Sequence, residues 1–299
     1  MAYQKLKALL ATLIFACSAC LLGDLAPARA EPQTSTSLHM SKTLHFASNG
    51  NFDAHGTFLP ARVGFDLADV SNRSELDRLP EGVKGLVWIG SCNGVDARFQ
   101  AAVNAIVSHP KVFGFYLMDD PDPTGRWHRP CSASALKAES DWIHERRPDA
   151  ITFVALMNLS SSSAPSFGGW YTPETTHVDL FGIAPYPCRD EWRTCDFGMI
   201  RRFVTSAVAS GIPISKLVPM YQTFGFGAWR TDTGGRYRLP SPEEMRTIHR
   251  RWSQLVPAPV FDFAYSWGTQ REDLALESST GLQHVFEMWN SGTLFPRGQ

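Results

Sequence analysis

The chain has 299 residues, with 28 Lys and Arg against 29 Asp and Glu. A near-neutral balance with no basic stripe excludes a nucleic-acid footprint. The length suits one large barrel or two small domains behind a leader.

Residues 1–30 read as an export signal. Lys5 and Lys7 give a positive start, Ala8 to Gly23 is almost wholly apolar, and Ala28-Arg29-Ala30 offers small residues for cleavage after Ala30. The apolar run falls short of the ~20 residues of a membrane span, which disfavours a retained anchor. Leu13 to Cys17 loosely resembles a lipobox, with Phe15 a poor fit. No later segment is apolar enough to cross a bilayer, so no stable membrane insertion is expected after cleavage, and the destination is secreted or periplasmic. Residues 31–42 are polar and rich in Ser and Thr, the composition of a disordered lead-in.

From residue 43 to 299 one pattern repeats. Short apolar runs alternate with longer segments of helical period, which predicts βαβ units and a parallel sheet. The predicted strands are Thr43–Ala47, Arg62–Val70, Val83–Gly90, Val112–Met118, Ile151–Leu159, Val178–Pro185, Leu217–Phe224 and Phe261–Trp267. Between them, Phe99, Val103, Ile106 and Val107 share one helical face, as do Ile200, Phe203, Val204 and Ala207. At Ser241 a cap, Pro242 and a capping-box Glu244 precede a stripe of Met245, Ile248, Trp252 and Leu255. Helices also read around Ala135–Arg146 and Leu282–Trp289, whereas Ser160–Pro173 is poorly marked. Eight strands close a barrel, so the expected fold is a single-domain α/β protein, a (β/α)8 TIM barrel. A doubly wound open sheet competes, but no glycine-rich phosphate loop follows an early strand.

Cys17 and Cys20 leave with the signal, and Cys92, Cys131, Cys188 and Cys195 remain. An even count in an exported chain suggests two disulfides among three possible connectivities. The favoured pairs are Cys188–Cys195, which closes a short loop, and Cys92–Cys131.

In such a barrel chemistry sits where strands end. The third run ends near Trp88, the fourth in Met118-Asp119-Asp120-Pro121-Asp122, and the sixth in Tyr186-Pro187 with Arg189, Asp190, Glu191 and Trp192 beyond it. The seventh ends in Tyr221-Gln222-Thr223-Phe224 and the eighth in Tyr265-Ser266-Trp267. Asp119 and Asp120 side by side can hold one proton between them, because close carboxylates resist double ionisation. Consecutive strand residues face opposite ways, so both reach one site only through a bend or bulge. Asp66, Asp69, Asp190 and Glu191 are further strand-end carboxylates. Trp88, Trp192, Trp229, Trp267 and Tyr186 are candidate platforms for sugar rings, and Trp142, Trp252 and Trp289 read as core.

Three of these endings resemble the TIM-barrel glycoside hydrolases of the retaining clan that includes cellulases and galactanases. Met118-Asp119-Asp120-Pro121 resembles the Asn-Glu-Pro end of that clan's fourth strand, and Gly182 to Pro187 its Gly-x-x-x-Tyr-Pro sixth strand. Tyr265-Ser266-Trp267 resembles the eighth, whose Trp floors the sugar subsite. The resemblance implies Asp120 as general acid, with Asp119 beside it, acting on a poly- or oligosaccharide. It implies a sugar contact for Trp267, and the strand-end positions of Asp66, Trp88, Tyr186, Glu191 and Gln222 make them further expected sugar contacts. The clan's seventh-strand nucleophile is Glu, and the matching residue here is Gln222, whose amide cannot fill that role. Three repairs follow: another carboxylate activates water in an inverting reaction, the sugar's acetamido group attacks, or catalysis is lost and the barrel only binds glycans.

Other chemistries lack their residues. There is no His-x-His pair or His-Glu-x-x-His helix, no Gly-x-Ser-x-Gly elbow, and no Cys-x-x-Cys spacing among Cys92, Cys131, Cys188 and Cys195. No metal or other cofactor is expected, and tight prolines disfavour calcium at Asp119, Asp120 and Asp122.

Overall fold

A computed structural model describes residues 42–295. The export signal and all of the lead-in but residue 42 lie outside the described residues. Eight parallel strands close a barrel in chain order: β1 (Leu44–Ala47), β2 (Leu67–Val70), β3 (Lys84–Trp88), β4 (Val112–Asp119), β5 (Ile151–Leu156), β6 (Leu180–Ile183), β7 (Leu217–Gln222) and β8 (Phe261–Tyr265). Closure is made by β8 on β1, with Phe46 opposite Phe263. The helices are α1 (Arg73–Arg78), α2 (Ala97–Asn104), α3 (Ala133–Arg146), α4 (Pro173–Thr176), α5 (Gly198–Ala209), α6 (Pro242–Leu255) and α7 (Thr280–Asn290).

The strand sequences are apolar on both faces because both are covered. One face fills the barrel with Phe46, Leu67, Leu86, Tyr116, Phe153, Leu180, Met220, Phe261 and Phe263. The other packs Val70, Val87, Phe115, Val154, Phe181 and Tyr221 against the helices. Each such side chain contributes about 1.5–3 kcal/mol on leaving water. Helix α6 begins as its sequence dictates: Ser241 accepts from the Glu244 N–H, Glu244 reaches back to the Ser241 N–H, and Pro242 opens the first turn. Met245, Ile248 and Trp252 are buried as predicted. Helix α5 buries Ile200, Phe203, Val204 and Ala207.

Two elements differ from the reading of the sequence. Residues Leu59–Val63, predicted in part as the start of the second strand, form a 3-10 turn led by Pro60. It ends at Gly64 in the left-handed region, so β2 starts only at Leu67. The turn stands where the first barrel helix belongs. After β5, the Ser-rich stretch yields only the four-residue α4, held by a Thr172–Thr175 capping box.

Both favoured disulfides are present: Cys92–Cys131 ties the loop after β3 to the loop after β4, and Cys188–Cys195 closes the loop after β6. At the opposite, amino-terminal end of the barrel, Asp262 pairs with His45 Nδ1 at 2.9 Å and accepts from Trp289 Nε1 at 2.7 Å and the Tyr221 hydroxyl at 3.3 Å. His249 stacks flat on Trp289, 4.6 Å between centroids, with Tyr221 and Phe286 edge-on to it.

Candidate active site

At the carboxyl end of the strands the barrel opens into a groove with two halves. The first, about 550 Å³, is lined by Ser48, Asn49, Asp69, Glu75, Trp88, Tyr116, Asp119, Tyr265 and Gln270 among others. The second, about 350 Å³, is lined by Asp119, Asp120, Asn158, Tyr186, Arg189, Trp229, Asp232, Tyr237 and Tyr265 among others. Asp119 and Tyr265 belong to both halves and mark their junction.

A local break in strand regularity brings the two aspartates together. The pairing of β4 with β5 shifts register between Tyr116 and Met118, and Asp120 takes a φ of 47°. A bulge followed by a left-handed residue cancels the alternation that would send Asp119 and Asp120 to opposite faces. Left-handed backbone costs a β-carbon residue about 1–2 kcal/mol, and Asp and Asn tolerate it best. The Asp120 N–H is held by the Ala155 carbonyl at 2.9 Å, so the conformation is fixed.

The electrostatics separate the two acids. Burial raises the Asp119 carboxyl, while the Tyr116 hydroxyl, donating to Oδ1 at 2.8 Å, works in the other direction. Asp120 is solvent-accessible at the groove, but the protein crowded around it and the charge of Asp119 push it up to about 7. The pair therefore favours one shared proton near neutrality, with Asp120 the better holder. Burial lifts Asp69 to about 6; the Asn49 N–H on Oδ2 at 3.1 Å lowers it, and Glu75 nearby raises it.

Aromatic walls flank the carboxyls. Trp88 stands 38% exposed at the rim, edge-on to Tyr116 at 4.7 Å. Tyr186 and Tyr265 stack at 5.9 Å with 28° between planes, and Tyr186 meets Phe224 edge-on at 5.0 Å.

The surrounding loops are pinned by buried polar groups. Asp122 is fully buried; burial opposes its charge, but N–H groups of His128, Trp127, Thr124 and Gly125 and the Thr124 hydroxyl hold it well below the carboxylate range. It shapes the loop after β4. Arg189, 2% exposed, pairs with Asp232, which also accepts from the Ser162 N–H at 2.7 Å. That triad ties together the loops after β5, β6 and β7.

The sequence-predicted residues divide cleanly. Asp119, Asp120, Trp88 and Tyr186 converge on the groove. Gln222 does not reach it: fully buried, it accepts from the Cys188 N–H and donates to the carbonyls of Cys188, Phe224 and Arg238. It braces a disulfide loop. Trp267, expected as the sugar floor, is also fully buried, packed on Phe65 with Arg62 over its ring. The strand ends at Tyr265 and the chain turns, so Tyr265 takes the inward place and Trp267 enters the outer core. Asp66 precedes β2 at the opposite end of the barrel, where it accepts from the His45 N–H at 2.7 Å and pairs with Lys42. Glu191 accepts from the Thr231 and Thr233 hydroxyls and braces the loop after β7 outside the groove. Tyr265 was legible from its period-2 phase with Phe261 and Phe263; Asn49 and Gln270, in irregular loops, carried no signal.

Cys188, Cys195 and Glu244 lie close together, but the sulfurs are bonded to each other and cannot ligate a metal as thiolates. Among the described residues no helix is long and apolar enough to cross a membrane.

No protein-family model matches the chain, and no curated protein matches it in sequence. Its fold is nevertheless shared with solved structures. A family 18 chitinase from Cycas revoluta, in complex with (GlcNAc)3, superposes with TM-score 0.53 at 12% identity, over 85% of this chain and 100% of that one. A family 18 N-acetylglucosaminidase from Paenibacillus barengoltzii gives 0.52 at 10% identity, over 83% and 99%. A family 18 chitinase from Flavobacterium johnsoniae gives 0.50 at 11% identity, over 84% and 94%. At such identities the likeness is one of fold, and the chain has the (β/α)8-barrel fold of these glycoside hydrolases.

Proposed function

We propose that the groove hydrolyses a glycosidic bond in a poly- or oligosaccharide, with Asp120 as general acid. One observation carries the reading: a bulge and a left-handed residue turn two adjacent carboxyls into the same aromatic-walled groove. A carboxylic acid held protonated near neutrality is what the leaving oxygen requires as its C–O bond breaks. Asp119 keeps the proton on Asp120 by its own charge, and Tyr116 holds Asp119 in place. Trp88, Tyr186 and Tyr265 offer ring faces to the C–H faces of sugars. Export, expected from cleavage after Ala30, is supported by two disulfides, which persist in oxidising compartments. The proteins of like fold include a chitinase bound to a GlcNAc trimer, so N-acetylglucosamine polymers are the first substrates to try.

The test is reducing-end release from a polysaccharide panel by the protein without residues 1–30, beside Asp120→Asn. Asparagine tolerates the left-handed backbone, so the variant should melt within about 2 °C of wild type. Turnover should fall by about 10²–10⁴. Equal activity in the variant refutes the acid role. Glycan binding without product in the wild type makes the chain a non-catalytic glycan-binding barrel.

A further inference from the structure

Resting on that reading, we infer that the second half of the groove takes a glycan bearing carboxylates, recognised by Arg189 with the charge of Arg230 in support. Charge is distributed unevenly along the groove. Among the described residues, the first half is lined by Asp69, Glu75 and Asp119 and by no basic side chain. Both arginines of the groove, Arg189 and Arg230, line the second half. Arg230 is exposed, whereas Arg189 is buried.

Arg189 is under-used for a buried charge. A guanidinium carries five N–H donors, and burial leaves each unmet donor unfavourable. Nη1 donates to Asp232, whose other oxygen takes the Ser162 N–H. Nε has no partner among the described residues, and Nη2 donates to none of them. The rings of Trp192 and Tyr237 lie 4.9 and 5.7 Å from the guanidinium carbon, contacts that favour its charge without meeting those donors. Tying the loops together therefore employs one corner of the group. The edge formed by Nε and Nη2 is left over, and its parallel donors match the two coplanar oxygens of a carboxylate.

The acidic substituent is kept clear of the reacting group. Asp119 acts on Asp120 through its charge, and Arg189 is not among the charges that do. Tyr237 lines the same half and is within reach of both. Burial raises its hydroxyl, Arg189 works against that, and Asp232, Asp120 and Glu191 add to it. A substrate carboxylate at Arg189 is thus held by the guanidinium, while the proton on Asp120 is left under the control of Asp119.

The experiment measures binding by calorimetry and reducing-end release for matched glycans. The set is oligomers of hyaluronan, polygalacturonate and alginate, the carboxyl methyl ester of each, neutral N-acetylglucosamine and cellulose oligomers, and dextran sulfate. At least one acidic glycan should bind about ten- to a hundredfold tighter than its own ester, a ratio that shrinks as salt rises. Arg189→Lys keeps the charge but loses the parallel donors, and should cut that ratio to about threefold or less. Where Arg189→Lys does not fold, the exposed Arg230→Gln decides: a ratio lowered about threefold upholds the inference, and an unchanged one overturns it. Acid and ester bound alike across the set, an unchanged ratio in folded Arg189→Lys, or dextran sulfate bound tighter than every carboxylate glycan overturns it as well. Product from a neutral glycan in any of those cases leaves the hydrolase reading standing. A preferred acidic glycan with no product from any glycan upholds the recognition and sinks the hydrolase reading.

Discussion

Replacing His249 with phenylalanine isolates one titration in the core. The imidazole is fully buried in an aromatic box, and among the described residues neither ring nitrogen has a hydrogen-bond partner. Burial pushes its pKa down to about 3, the Asp262 charge offsetting only part of that. In the unfolded chain the ring titrates near 6.5. Between those values the unfolded state binds a proton that the native state refuses, so the contribution is full above about 6.5 and is lost as pH falls toward 3. Linkage gives a loss of about 2 kcal/mol at pH 5 and about 5 kcal/mol below pH 3. Phenylalanine keeps a ring in the box and has nothing to protonate. Denaturant unfolding of both proteins at pH 7.5 and pH 5.0, disulfides intact, measures the difference. Wild type should lose about 2 kcal/mol more than the variant over that interval. Equal losses, within about 0.5 kcal/mol, would mean the ring is not held neutral, and the reasoning fails.

Two further substitutions separate support from contact. Gln222→Glu places a carboxylate against the carbonyls of Cys188, Phe224 and Arg238; it should destabilise by about 2–4 kcal/mol and create no new nucleophile, measured by unfolding and product analysis. Trp267→Ala should cost about 3–5 kcal/mol with glycan affinity per folded molecule unchanged, whereas Tyr265→Ala should weaken affinity by an order of magnitude with a small change in melting temperature.

Much of the barrel was legible because parallel strands covered on both faces are written as continuous apolar runs. Helix α6 announced itself through Ser241, Pro242 and Glu244, chemistry confined to neighbours in sequence. The 3-10 turn at Leu59–Val63 was harder, since Arg62 and Val63 lead into an apolar stretch that a strand would share. In the groove, Asp119, Asp120, Trp88 and Tyr186 were readable as strand-end residues. Which way a side chain points after a strand ends is not periodic, and this misplaced Trp267 and Gln222. Asp66 was misread because its strand was drawn too long. An end that seemed to be a terminus is a beginning.

Below the groove, Phe46, Phe153, Phe261 and Phe263 plug the barrel, so the carboxyls above them stand over an apolar floor. On the proposed hydrolase reading, a sugar ring settling on Tyr265 displaces solvent from the groove and puts a weakly polar body in its place. The charged form of the aspartate pair then loses its remaining solvation, and occupancy itself tightens the proton on Asp120. In such a vessel the guest helps to arm the acid, and an empty groove is the less reactive state.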